Sequence, residues 1–241
     1  MNSLPAEFQF SQSVLEDYAT CARRFELRYL QRIKWPSVEA EPHLEHEKHL
    51  VLGERFHRLV QQYLVGVPAN VLERTLNDPT LLDWWGRFKA SGVKWVKDAR
   101  YVEFELRTFI NGAPLMAKID LLAVGDDGTL TIVDWKTSHQ RPSRKILEKR
   151  LQTHVYLFVL TEAAQALIGH AVNPEQVRMV YWFTAEPDNP EIFTYDADKL
   201  AVDRKLLADL LDKVRQRTHF PLTDDLRACA FCRYRSLCNR G

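Results

Sequence analysis

The sequence predicts an α/β fold in which a mixed central sheet is flanked by helices, with a helical N-terminal part ahead of it. Two observations carry that expectation. Apolar residues recur at helical spacing from about residue 11 to 97, and from Tyr101 they alternate with polar ones as in a half-buried strand. Three strands joined by short turns are then followed by a long helix and another strand. A meander that returns through a helical crossover makes a mixed sheet with helices packed on it.

In chain order, Ser11 or Ser13 can cap a helix running to about Arg32, with Val14, Tyr18, Cys21, Phe25, Leu27 and Tyr29 as its apolar stripe. Trp35-Pro36 and the segment to Pro42 end it and lead into a charged connection bearing His43, His46 and His49. A second helix is expected over about Leu50 to Val65, burying Phe56, Leu59, Val60, Tyr63 and Leu64, with Gly66-Val67-Pro68 as its stop. A Trp-rich segment covers about Pro79 to Lys97. Strands follow at Tyr101–Arg107, at Leu115–Val124 after the Asn111-Gly112 turn, and at Leu130–Trp135 after Asp126-Asp127-Gly128. Helical period returns from about Ser143 to Ile168. A strand then spans Val177–Phe183, and an amphipathic helix Asp196–Arg217. The 241 residues fit one domain, with a helical part over about 10–98, a core over 99–195 and a C-terminal helix and cysteine-bearing tail over 196–241.

Composition is that of an ordinary globular protein: nearly half the residues are apolar, 27% are charged, and the formal net charge is only +1. Overall charge therefore does not single out a polyanionic partner. Two stretches are nonetheless basic. Arg141 to Arg150 holds five cations against one anion, and the tail from Arg227 carries Arg233, Arg235 and Arg240 with no acid. Such stretches are either solvated faces or local contacts for a nucleic acid. No apolar run reaches the roughly 20 residues of a membrane span, and the N-terminus lacks the pattern of a secretory signal, so the expected location is the cytoplasm.

The chemistry-bearing residues gather at strand ends. Ile119-Asp120 lies late in the second strand, and Asp134-Trp135-Lys136 closes the third across a short turn. Antiparallel neighbours can bring the two carboxylates together. Acids at apolar strand ends are costly to bury unless they bind something, and Mg²⁺ or Mn²⁺ suits such oxygen ligands. Lys136 recurs two residues after Asp134 and so shares its side of the strand, where an ammonium can orient an attacking water. Gln152 and Tyr156 lie four apart on one face of the next helix, and the helical imidazole of His57 could complete a ligand set.

Four motifs thus occur in order: Gly53-x-x-x-His57, Ile119-Asp120, Asp134-x-Lys136-Thr137 and Gln152-x-x-x-Tyr156. Together they resemble the RecB-like branch of the PD-(D/E)XK nucleases, over nearly the whole chain from about residue 11. The resemblance implies the restriction-endonuclease-like core and a metal-dependent DNA nuclease. It implies His57, Asp120, Asp134 and the backbone carbonyl of Trp135 as metal ligands. Asp120, Asp134 and Lys136 become the catalytic set, with Gln152 and Tyr156 in support. Where the family often has Gly-Arg-Ile-Asp, this chain has Ala117-Lys118-Ile119-Asp120. A family glutamate precedes this strand, and both Glu103 and Glu105 qualify.

The four cysteines are Cys21, alone, and Cys229-x-x-Cys232-x₅-Cys238. In a reducing compartment they read as metal ligands rather than disulfides, and four thiolates suit either zinc or an iron–sulfur cluster. A lone cysteine before the nuclease motifs and a trio after them resembles the cluster-bearing RecB-like nucleases, among them CRISPR-associated exonucleases and helicase–nuclease subunits. That likeness implies a 4Fe-4S cluster in preference to zinc. Its role would be to clasp the two ends of the chain. Arg233, Tyr234 and Arg235 lie within the trio as candidate DNA contacts. The resemblance also implies an exonuclease acting on single-stranded DNA ends, in CRISPR spacer processing beside integrase proteins or in repair beside a helicase. The chain has no Gly-x₄-Gly-Lys-[Ser/Thr] phosphate loop of its own. The alternative is a non-catalytic DNA-binding or scaffold protein that keeps the clasp.

Overall fold

The computed structural model describes residues 4–5, 7–35 and 43–240. A two-residue strand, β1 (Phe10–Ser11), leads into α1 (Gln12–Thr20), whose first turn is capped by the Ser11 hydroxyl accepting from the Val14 amide at 3.4 Å. The single helix expected to Arg32 is broken at Cys21, whose backbone is extended (φ −159°, ψ 111°). The chain resumes as α2 (Ala22–Phe25) and a π-turn over Glu26–Leu30. Asp17 spans the break, taking Arg24 at 2.7 Å, Arg28 at 2.9 Å and the Tyr29 hydroxyl at 2.9 Å. These side-chain bonds reward a bent path that helical periodicity alone does not show.

The expected Pro36–Pro42 connection lies outside the described residues. The next helix, α3 (His43–Leu64), starts at His43 rather than near Leu50. The charged stretch with His43, His46 and His49 is its first part, because the intervening Glu, Lys and Leu favour helix and nothing before Gly53 interrupts it. A short α4 (Ala69–Glu73) follows, which the sequence reading did not anticipate. The Trp-rich segment is α5 (Pro79–Arg87) continued by a π-turn to Gly92 and a 3₁₀ turn to Val96. Asp78 caps α5 by accepting from Thr80 and Leu81, with Pro79 at the first helical position.

The sheet then forms from β2 (Ala99–Ile110), β3 (Ala113–Val124), β4 (Leu130–Lys136), β5 (Val177–Phe183) and β6 (Glu191–Thr194). Asn111 (φ 50°) and Gly112 (φ 75°) make the tight β2–β3 turn, which needs two left-handed residues. The chain crosses over from β4 through α6 (Arg144–Glu148) and α7 (Leu151–Ile168) to β5, which pairs parallel with β4, as a mixed sheet requires. The continuous helix expected from Ser143 is thus divided near Arg150. β6 returns antiparallel on β5, and α8 (Ala197–Arg215) begins at the cap Asp196.

β3 has three partners. β2 runs along one side, while β1 (at Leu115 and Met116) and β4 (at Leu121 to Val124) share the other. The last β3–β4 pair is Leu121 with Val133, and beyond it the two strands part. A fork therefore opens in the middle of the sheet at Asp120 and Asp134.

Helices cover both faces. The larger core packs α1, α2, α7 and α8 on residues such as Leu115, Ile119, Ile132, Met179 and Tyr181. The smaller one is aromatic and packs α3 to α5 on Val133, Trp135, Val180 and Trp182. There Phe56 stacks on Trp182 and Trp85 on Phe88, with ring centres 6.2 and 5.5 Å apart, which accounts for the tryptophans. Among the described residues, no helix is long and apolar enough to cross a membrane.

Candidate active site

Because the ladder ends at Leu121 and Val133, the Trp135 amide has no backbone acceptor on β3. The carboxylate of Asp120 takes it instead, Oδ2 accepting at 2.9 Å. An acid at this point of β3 thus satisfies a buried backbone donor and holds the fork open. The Trp135 indole is buried in the aromatic core and anchors the strand from the other face.

On one side of the fork, the His57 Nδ1 lies 3.3 Å from Asp120 Oδ2. His57 is carried by α3, which approaches closely because position 53 is glycine: a Cβ there would meet Thr137 Oγ1 at 2.8 Å. Glu103 completes this side. The donor atoms of His57, Glu103 and Asp120 all lie within 4.8 Å of one another. Glu103 has φ 49°, in the left-handed region, in the middle of β2 and between the pairs Val102–Leu121 and Phe104–Ile119. A strained non-glycine conformation in mid-strand is uncommon and turns the carboxylate to the site. Of the two glutamates left open by the sequence, Glu103 faces the site and Glu105 is exposed. Lys118, in the place of the family's arginine, bridges to Glu103 at 2.8 Å, and the preceding Ala117 is buried without disturbing the strand pair.

Across the fork, Asp134 is buried and points to α7. Lys136 Nζ lies 2.7 Å from its Oδ2 and donates to Gln152 Oε1 at 2.9 Å, while Gln152 Nε2 donates to Asp134 Oδ1 at 2.6 Å. The Lys136 contact lacks hydrogen-bond alignment, so Oδ2 of Asp134 keeps a lone pair unmatched in a buried place. Tyr181, next to Asp134 on β5, puts its ring 5.5 Å below the Lys136 ammonium, and its hydroxyl is fixed by Thr153 at 2.8 Å. Apolar patterning marks the β5 strand but not this support, which depends on the parallel register of β4 and β5. Tyr156, one turn after Gln152, lines the cleft.

Electrostatics follow from this arrangement. Burial works against the imidazolium of His57, but Asp120 and then Asp134 outweigh it and raise its pKa. Burial would raise Asp120, yet His57, the Trp135 amide and Lys136 hold it below the ordinary carboxylate value. Asp134 goes the other way: burial, reinforced by Asp120, exceeds the pull of Lys136. Tyr156 is pushed far up by burial and by both aspartates, so its hydroxyl remains a donor. The oxygen-rich donor set, its single imidazole and the unmatched oxygen of Asp134 fit a hard divalent cation. His57, Glu103 and Asp120 already converge; Asp134 stands beside them, held by Lys136 and Gln152.

The cleft over these groups has a volume of about 580 Å³ and is also lined by Arg58, Gln61 and Lys118. The basic stretch after β4 contributes less than its composition suggests, since Arg141 and Arg144 are both engaged by Glu191. The four cysteines, all unpaired, line one pocket together with Arg24 and Tyr234. Of the three candidate DNA contacts, Tyr234 is the most enclosed. It is 2% exposed, and its hydroxyl donates to the Ile33 carbonyl at 3.0 Å. Arg235 is turned inward to the Arg240 carbonyl, while Arg233 remains exposed.

A strand fork that presents two carboxylates and an imidazole to an open cleft, with an acid-bound lysine on the neighbouring strand, is the arrangement of a metal-dependent phosphodiesterase. The chain belongs to the PD-(D/E)XK nuclease superfamily, whose sequence model matches residues 9–239. Among solved structures it is similar to a candidate exonuclease from Eubacterium rectale, at 11% identity and a TM-score of 0.58, over 95% of this chain and 88% of that one. It is also similar to the protein SSO0001, at 14% identity and a TM-score of 0.45, over 98% and 87%. No curated protein matches it in sequence.

Proposed function

We propose that this protein hydrolyses DNA phosphodiesters with Mg²⁺ or Mn²⁺, as an exonuclease on single-stranded ends within the RecB-like branch of its superfamily. The observation that carries the reading is the juxtaposition of His57, Glu103 and Asp120 with the Asp134–Lys136–Gln152 chain at one strand fork. His57, Asp120 and Asp134 would hold the cation, with Glu103 and the Trp135 carbonyl as further candidate ligands. When bound, the cation lowers the pKa of a ligated water and neutralises the scissile phosphate. Lys136 orients the attacking water and stabilises the charge that develops on the phosphate. Gln152 fixes the lysine by accepting from it, and Tyr156, kept protonated, donates to a phosphate oxygen. Arg58 and Lys118 on the cleft wall attract the backbone that leads to the site.

Cys21, Cys229, Cys232 and Cys238 are read as ligands of a 4Fe-4S cluster. The support is their convergence on one pocket, a donor set of four thiols, and a spacing that resembles that of cluster-bearing RecB-like nucleases. The biological settings that suit these features are CRISPR spacer processing or DNA repair in the cytoplasm, with an integrase or helicase as partner.

The test is anaerobic purification, iron and sulfide analysis, and incubation of end-labelled single-stranded DNA with Mn²⁺, Mg²⁺ or EDTA, with Lys136→Ala alongside. Metal-dependent shortening by the wild type, slowed about a hundredfold or more in the variant, is the expected result. Binding without cleavage under every metal condition would instead favour a scaffold protein that retains the clasp.

A further inference from the structure

Arg24 lies three residues after Cys21, on α2, and lines the same pocket as all four cysteines. Its terminal nitrogen is tied to Asp17 at 2.7 Å, and Asp17 is itself buried, with Arg28 and Tyr29 on its other oxygen. One carboxylate is thus shared between two guanidinium groups, which leaves surplus positive charge at this spot. The Nε–H of Arg24 is buried and has no hydrogen-bond partner among the described residues. A charged donor left without an acceptor in a buried place is costly, so such a group marks the approach of an acceptor.

The pocket has a complementary need. Its four thiols, none of them in a disulfide, line it together with the Arg24 side chain. Four thiolates around a cluster carry net negative charge into a half-buried site, and hydrogen bonds to sulfur tune both the retention and the potential of such a centre.

We propose that Arg24 is the counter-cation of the cysteine centre: aimed by Asp17, its guanidinium donates Nε–H to a ligating sulfur and offsets the negative charge of the bound cluster. This inference rests on the reading of the four cysteines as cluster ligands, and the two can fail separately.

The test uses the full-length protein purified without oxygen, as wild type, Arg24→Gln, Arg24→Lys and Arg28→Gln. Iron and acid-labile sulfide are measured per chain, together with the decay of visible absorbance under chelator and the midpoint potential. Arg24→Gln should lose absorbance about tenfold faster, the worth of one charge-assisted hydrogen bond, and should have a more negative potential. Arg24→Lys keeps the charge without the Nε–H, so its potential should fall between the other two while its cluster remains labile. It also serves if Arg24→Gln does not accumulate in folded form. Arg28→Gln, which shares Asp17 but does not line the pocket, leaves the Arg24 Nε–H in place and should keep the wild-type rate of absorbance loss. An iron-bearing wild type whose lability and potential are matched by both Arg24 variants overturns the proposal alone. A wild type holding zinc, or no iron and sulfide, overturns the cluster reading and the proposal with it.

Discussion

At the scale of single residues, the site works by matching each buried charge to a specific partner. Lys136 is held between Asp134 and Gln152 and over the Tyr181 ring, so its position does not depend on substrate. Lys136→Ala should therefore lower the rate by about 10²–10³-fold while DNA affinity is kept, a split that single-turnover kinetics and a binding titration would show. His57 makes a prediction about pH. Its raised pKa means that the folded, metal-free protein keeps the imidazole proton to higher pH than the unfolded chain does. The stability from that proton is complete below the ordinary imidazole value and is lost as pH rises through the raised one. Metal binding runs in the opposite direction, because only the neutral ring is a ligand. Affinity for Mn²⁺ should thus climb across this window and level off above it. Calorimetric titration at stepped pH measures this, and an affinity without that climb would remove His57 from the ligand set. The placing of Asp120, Asp134 and Lys136 at neighbouring strand ends was legible in the sequence because strand parity and a short turn are local properties. The choice between Glu103 and Glu105 was not, since it turns on one left-handed residue within β2 that no composition rule marks.

At the scale of elements, the site depends on how closely α3 approaches the end of β4. Gly53 and Thr137 make that contact, and His57 lies one helical turn further along. In Gly53→Ala the helix gains roughly 1 kcal/mol of intrinsic preference, but the new methyl would sit 2.8 Å from Thr137 Oγ1, closer than real side chains pack. Relief by a shift of α3 would move the imidazole, and small misplacements of catalytic groups are expensive in rate. Activity is expected to fall about tenfold or more in Gly53→Ala, with much of it restored in the Gly53→Ala, Thr137→Ala double variant. Equal activity of the two single variants and the double one would show that this contact does not position His57. The same contact explains a spacing that the sequence displayed only as a motif. The elements missed from the sequence were the shortest: β1, β6 and α4 are too brief to show a period. The break at Cys21 was hidden because the apolar stripe keeps its helical spacing across it, and the side-chain bonds of Asp17 that favour the bend come from tertiary structure.

At the scale of the whole molecule, the two ends of the chain meet beside the cysteines, and they do so through more than sulfur. The Arg23 amide donates to the Pro221 carbonyl at 3.1 Å, Trp35 Nε1 donates to Ser236 at 2.9 Å, and Phe25 stacks on Phe220 with ring centres 5.8 Å apart. The catalytic fork, by contrast, lies between β3 and β4 and is braced by α3 and α7, none of which touches the cysteine pocket. If the proposed cluster ties Cys21 to the trio, it closes most of the chain, and by analogy with a disulfide over so long a loop the link is worth roughly 4–5 kcal/mol. For a cluster that the unfolded chain does not hold, the binding free energy is itself folding free energy, so its loss is felt as instability. Cys232→Ala should accordingly melt several degrees lower and yield less protein. Limited proteolysis should cut first in the segment from Leu222 to Arg240, which is built of turns and one 3₁₀ turn, with no longer helix or strand. Because Phe25 and Leu15 still anchor the N-terminal helices in the main core, the remaining folded fraction should retain metal-dependent cleavage in the cold. Activity lost in proportion to folded protein would mark the cysteine centre as structural. Loss of cleavage in a variant that melts and resists protease like the wild type would place it in the path of the DNA instead.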